Sequence, residues 1–136
     1  MNKEIQQKYA ELQMLNEQIK QVHEQFIFLQ QQLNELTTLE SSVSDLKDIK
    51  KGSEIFSSLG SGIFVNSKLE NNQKVVINIG SGVLIEKNIE DGVSLIKSQI
   101  NNVNSSLEAI KSQLSKASMY SEQLTQELNE LSLKED

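Results

Sequence analysis

The 136-residue sequence has no cysteine, no proline and no tryptophan, and only 4% of it is aromatic. Without cysteine there is neither a disulfide framework nor a thiolate metal site. So few aromatics make an ordinary globular core an unfavourable expectation. No apolar run approaches the ~20 residues a transmembrane helix needs. A net charge of −6 opposes attraction to phosphate backbones or anionic lipid, so neither nucleic acid nor a membrane is an expected partner. The opening Met1-Asn2-Lys3-Glu4-Ile5-Gln6-Gln7 has no apolar signal-peptide core, and the expected compartment is the cytoplasm.

Catalytic and metal-binding chemistry is equally sparse. His23 is the only histidine, and position 27, where a zinc-protease helix would carry its second one, is Ile. The two Gly-Ser-Gly triplets lack the further glycine and following helix of a dinucleotide site, and no Gly-Lys-Ser/Thr phosphate loop occurs. Asp45 with Asp48 and Glu127 with Glu130 stand three apart, the spacing of a solvated helix face. No catalytic residue, metal ligand or cofactor is expected, and an enzyme is not the expected reading.

What the sequence does contain is heptads. Ile5, Leu12, Ile19, Phe26 and Leu33 fall at a positions, with Leu15, Val22, Leu29 and Leu36 at d. This seam is sustained beyond the three or four heptads that identify a coiled coil. Leu39, Val43 and Leu46 broaden the stripe, which predicts that something besides a partner helix packs there. Lys50-Lys51-Gly52 suits a helix C-terminus. A second seam has Val93, Ile100, Leu107, Leu114 and Leu128 at a, and Ile96, Val103, Ile110, Ala117, Leu124 and Leu131 at d, interrupted at a by Ser121. Asn88 is placed to cap this helix, with Glu90 and Asp91 in its first turn. The expected segments are a coiled-coil helix over 4–51, a β segment over 53–87 and a second coiled-coil helix over 88–133, in one domain spanning 1–136. Two helices of about 45 residues, roughly 70 Å each, match as an antiparallel pair whose facing residue numbers sum to about 136. Ile19 then faces Ala117.

Between the seams, β-branched runs alternate with glycine: Glu54–Ser58, Ile63–Lys68, Lys74–Ile79 and Val83–Lys87. Leu59-Gly60-Ser61-Gly62-Ile63-Phe64-Val65 is repeated as Ile79-Gly80-Ser81-Gly82-Val83-Leu84-Ile85, predicting two hairpins with glycine-bearing tight turns. An isolated hairpin is marginal in water, and these strands carry apolar groups on both faces. Pairing with strands of other subunits into a barrel is the economical solution. The expected fold class is mainly α with a small β insert, an antiparallel two-helix coiled coil joined by two β-hairpins that form an intersubunit β-barrel. The assembly residues are Ile55, Phe56, Ile63, Phe64, Val65, Val75, Val76, Ile77, Ile79, Val83, Leu84 and Ile85. The helices would project as arms with both termini at the tips. There Ile5, Tyr9, Leu12, Leu124, Leu128, Leu131 and Leu133 cluster where Lys8 at d and Ser121 at a weaken the seam; they read either as ordinary coiled-coil core with fraying ends or as a loosened tip, the candidate site for apolar surface of other proteins.

The order heptad helix, two Gly-turned hairpins, heptad helix resembles the α class of prefoldin subunits over nearly the whole chain. The resemblance is carried by the two Gly-Ser-Gly hairpins and by Glu86-Lys87 before the capped helix Asn88-Ile89-Glu90-Asp91. The second hairpin separates the α class from the β class. One departure is Ser57-Ser58-Leu59, where members often carry a proline. The resemblance implies a hexamer of two α-class and four β-class subunits, archaeal in type, that acts as an ATP-independent holdase. It would capture non-native client proteins between its arms and pass them to a group II chaperonin. A structural coiled-coil scaffold or tether without chaperone activity is the alternative that the heptads allow.

Overall fold

The computed structural model describes residues 3–135; Met1 and Asn2, and Asp136 at the other end of the expected domain, lie outside it. Helix α1 spans Lys3–Asp45 and is followed by a 3-10 turn, Leu46–Asp48. Strands β1 (Glu54–Gly60), β2 (Ile63–Lys68), β3 (Lys74–Asn78) and β4 (Leu84–Asn88) come next, and helix α2 runs over Ile89–Glu135. The chain divides into two compact units: residues up to Leu33 with those from Asn102 onward, and Asn34–Asn101.

In the first unit α1 and α2 pack antiparallel. Ile19 and Val22 share a small recess with Leu114 and Ala117, the register that the heptad frames predict. Leu12, Leu15, Ile19, Val22, Phe26, Val103, Ile110 and Leu114 are half-buried, while Leu107 is closed off at 4% exposure. Partial burial is what a two-helix seam gives, because each knob is covered from one side only. His23 stands exposed, its ring stacked on Phe26 with centroids 6.4 Å apart.

In the second unit α1 ends at Asp45, about five residues before the expected terminus at Lys50-Lys51-Gly52. The physical reason lies in Ser41-Ser42-Val43-Ser44-Asp45, a run of weak helix formers. Within it the Ser42 hydroxyl donates to the Thr38 carbonyl oxygen at 2.9 Å, an interaction that competes with the helix. Ile49 is extended, and the Gly52 N–H donates to the Leu69 carbonyl at 2.7 Å. Gly52 therefore closes the base of the first hairpin instead of capping α1.

Each hairpin is its own two-stranded antiparallel sheet. In the turns, Ser61 and Gly62 have φ of 50° and 80°, and Ser81 and Gly82 have 53° and 72°. Two successive positive φ values are the signature of a type I′ turn, whose twist matches the flanking strands. The duplication extends to the side chains that brace the turns. Ser58 Oγ accepts from the Gly60 N–H at 3.2 Å, and Asn78 Oδ1 accepts from the Gly80 N–H at 2.9 Å. β1 continues through the Ser57-Ser58-Leu59 stretch with a register shift between Ser58 and Gly60.

No loop separates β4 from α2. Asn88 ends the strand and caps the helix, its Oδ1 accepting from the Asp91 N–H at 2.8 Å. Ile89, fully buried, donates its N–H to the Gln73 carbonyl at 2.9 Å. Lys47 and Glu90 form an ion pair that holds the Glu90 carboxyl below the usual carboxylate range.

Candidate functional site

The pairing register sorts the residues of each hairpin onto two faces, because directly paired residues share a face and successive residues alternate. On the first hairpin Ile55 and Ser57 lie with Val65 and Ser67, and the hydroxyls of Ser57 and Ser67 are 2.6 Å apart. Phe56 and Phe64 stand on the opposite face, 74% and 59% exposed. The second hairpin repeats this division. Val75 and Ile77 pair with Lys87 and Ile85 on a half-buried face, while Val76 and Leu84, 64% and 62% exposed, look the other way. Leu59, Ile63, Val65, Ile79 and Val83 are also exposed around the turns. Of the twelve candidate assembly residues, Ile55, Val75, Ile77 and Ile85 are half-buried, and the other eight, including Val65 on the face of Ile55, are exposed.

Gly92 explains how the second hairpin is covered. A Cβ at this position would stand 3.0 Å from Val75 Cγ2 and 4.0 Å from Ile77 Cδ1, so the absence of a side chain lets α2 approach β3. Leu39 and Val43 complete an apolar recess of about 360 Å³ with Val75, Ile77, Gly92 and Ile96. This accounts for the broadened stripe at the end of α1. Gly92 is not part of either seam pattern, and the signal that marks it is a glycine inside an otherwise periodic helix.

The candidate site at the paired helix ends is largely closed, as ordinary coiled-coil core would be. Ile5, Leu124 and Leu128 are buried at 4%, 2% and 6% exposure, and Leu12 and Leu131 are half-buried. Only Tyr9 and Leu133 of the seven predicted residues are exposed. Lys8 and Ser121, the two polar positions of the seam, each have a partner across the pair. Lys8 Nζ donates to Glu127 Oε2 at 2.5 Å, and Ser121 Oγ donates to Asn16 Oδ1 at 3.2 Å. The Tyr120 hydroxyl donates to the Glu11 carboxylate, and Gln123 Nε2 donates to Glu127 Oε1 at 3.2 Å. Hydrogen bonding to Lys8 holds the Glu127 carboxyl below the usual range and raises the Lys8 ammonium pKa in return. The bond to Glu11 raises the pKa of Tyr120. Met14, Met119 and Tyr120 are further exposed apolar or amphipathic groups on this unit that the seam pattern does not single out.

Among the described residues no group of His, Asp and Glu is arranged to hold a metal ion, and no helix is long and apolar enough to cross a membrane. The exposed large apolar side chains lie on the hairpins and along both helices.

A family model described as Prefoldin subunit matches residues 15–134. The chain is similar to the prefoldin subunit alpha of Methanococcus maripaludis strain C5, with 30% identity over 77 residues, 57% of this chain and 51% of the relative. It is also similar to that of Methanococcus aeolicus, with 27% identity over 106 residues, 78% of this chain and 72% of the relative. The match to the first relative thus spans about half of that relative's length. Among solved structures, the cryo-EM structure of filamentous PFD from Methanocaldococcus jannaschii aligns over 93% of this chain and 99% of its own, with a TM-score of 0.55 and 20% identity. At that identity the likeness concerns the fold.

Proposed function

The chain belongs to the prefoldin family, and on that premise we propose that it is an α-class subunit of an ATP-independent chaperone that holds non-native proteins. The observation that carries the assembly part is the open face of each hairpin. Phe56 and Phe64 on one, Val76 and Leu84 on the other, are large apolar groups left in water on two-stranded sheets with unpaired edges. Such sheets are stabilised by strands and apolar faces of neighbouring subunits. β-class subunits are the partners in this reading, two α with four β, their strands closing an intersubunit barrel. The paired helix ends receive the client, through exposed Tyr9 and Leu133 and through Ile5, Leu124 and Leu128 once the pair opens. Leu12 and Leu131 lie between these extremes. Several weak apolar contacts around one client add up by multivalency, which suits release without nucleotide hydrolysis. Delivery to a group II chaperonin in the cytoplasm completes the proposed role.

The close packing of Ile5, Leu124 and Leu128 is also what a passive coiled-coil spacer would have, and this keeps the scaffold reading in view. One assay separates the two. The complex with a β-class partner should suppress aggregation of an unrelated, chemically denatured enzyme diluted into buffer without ATP. A complex that assembles but leaves the aggregation rate unchanged at molar excess supports the scaffold instead.

A further inference from the structure

The seam of the paired helix ends contains two polar positions, Lys8 at d and Ser121 at a. In coiled coils of separate chains a polar seam residue sets register at a cost in stability. Here the two helices are parts of one chain, and apolar layers such as Ile19 and Val22 against Leu114 and Ala117 already define the register. The polar positions are therefore available for another role.

Their partners indicate which. Lys8 and Ser121 each reach a group on the opposite helix, Glu127 and Asn16, and Tyr120 reaches Glu11 in the same way. The links lie beside Leu124 and Leu128, two of the most deeply buried apolar groups of the chain. The Lys8 and Glu127 side chains keep 25% and 35% of their surface exposed, so water competes for the ion pair and its hold is modest. An apolar layer in the same place would be held by burial and would open far less readily. The arrangement closes the ends without locking them.

Building on the capture role proposed above, we propose that the Lys8–Glu127, Tyr120–Glu11 and Ser121–Asn16 links form a clasp. Its opening presents Ile5, Leu124 and Leu128 to an extended apolar segment of a non-native polypeptide. The clasp sets the fraction of time the apolar groups are available, and apparent client affinity scales with that fraction.

The test uses the full chain assembled with its β-class partner and reduced, carboxymethylated α-lactalbumin as a permanently unfolded probe. One variant, Lys8→Leu with Ser121→Leu, replaces the polar seam positions by apolar ones; another, Glu127→Gln with Tyr120→Phe, weakens the links. Amide hydrogen exchange over residues 3–12 and 120–131 reports opening, and fluorescence anisotropy reports probe binding. In the apolar variant exchange should slow by about tenfold or more and probe binding should weaken by about fivefold or more. The weakened variant should exchange faster and bind more tightly. Slower exchange with unchanged or tighter probe binding in the apolar variant overturns the clasp, as does exchange that neither variant moves. Failure of the unmodified complex to bind the probe, with exchange behaving as expected, overturns the capture role itself and the clasp's function with it.

Discussion

Gly92 lies in the first turns of α2, where alanine would ordinarily favour the helix by about 1 kcal/mol. The close approach of Val75 reverses that expectation, since a Cβ would meet its Cγ2 at 3.0 Å and overpacking costs about 1–3 kcal/mol. Gly92→Ala should destabilise the chain by about 1 kcal/mol in the native background. With Val75→Ala present, the same change should stabilise it by up to about 1 kcal/mol. Denaturant melts of the four variants in this cycle check the change of sign. Lys8 and Glu127 give a second prediction at this scale. Glu127 has a folded-state pKa below its ordinary value, so its contribution to stability is present above that ordinary value and disappears as pH falls through the depressed one. Lys8 and Tyr120 are raised, so theirs are present below their ordinary values and disappear on the alkaline side. The links should therefore hold at full strength between about pH 5 and 9. An NMR titration of the Glu127 carboxyl carbon should find a midpoint below that of ordinary exposed glutamates, and Lys8→Gln should move it upward. A midpoint unaffected by Lys8→Gln would mean that the pair does not persist in solution.

Element by element, the periodic parts were legible in the sequence and the conformational exceptions less so. The seam from Leu12 to Leu29 has a strict alternation of three and four, and the four β runs emerged within one or two residues because β-branched stretches bounded by Gly-Ser-Gly admit few alternatives. Asn88 was legible as a cap because its chemistry is local. The early end of α1 was obscured because Lys50-Lys51-Gly52 makes a good helix terminus on its own, whereas the Ser-rich stretch before it acts through accumulated small propensities. The closed state of Ile5, Leu124 and Leu128 was one of the two readings open at the helix ends, and spacing alone does not decide between them. Polar residues in a seam weaken it on average, and their cross-helix partners depend on side-chain geometry that spacing does not encode. The hairpins supply the prediction at this scale. Ile77 faces α2 through Gly92 and Val76 faces away, so adjacent substitutions should have different consequences. Ile77→Asp places a charge on the covered face and should cost about 2 kcal/mol or more of chain stability. Val76→Asp should change chain stability by no more than about 0.5 kcal/mol while impairing association with partner subunits. Thermal melts and sedimentation velocity on the two variants, each with a β-class partner, separate folding from assembly. Equal loss of both properties in the two variants would contradict the assignment of faces.

For the whole molecule, the exposed apolar faces of the hairpins are the features that bear most on assembly. The sequence has no cysteine and one histidine, and no group of ligating side chains stands together among the described residues. Each hairpin leaves a face of large apolar groups exposed, Phe56 and Phe64 on one, Val76 and Leu84 on the other. A family of oligomeric chaperone subunits is where such a surface has a use, and the family match over residues 15–134 includes both hairpins and most of both helices. In the proposed role these faces bind other subunits of the family to build the working complex. Native mass spectrometry after co-expression with a β-class prefoldin subunit tests it most directly. The expected species is a hexamer containing two copies of this chain and four of the partner, which Val76→Asp combined with Phe64→Asp disperses. A chain that stays free of the partner at micromolar concentration, or a hexamer that survives both substitutions intact, would contradict it.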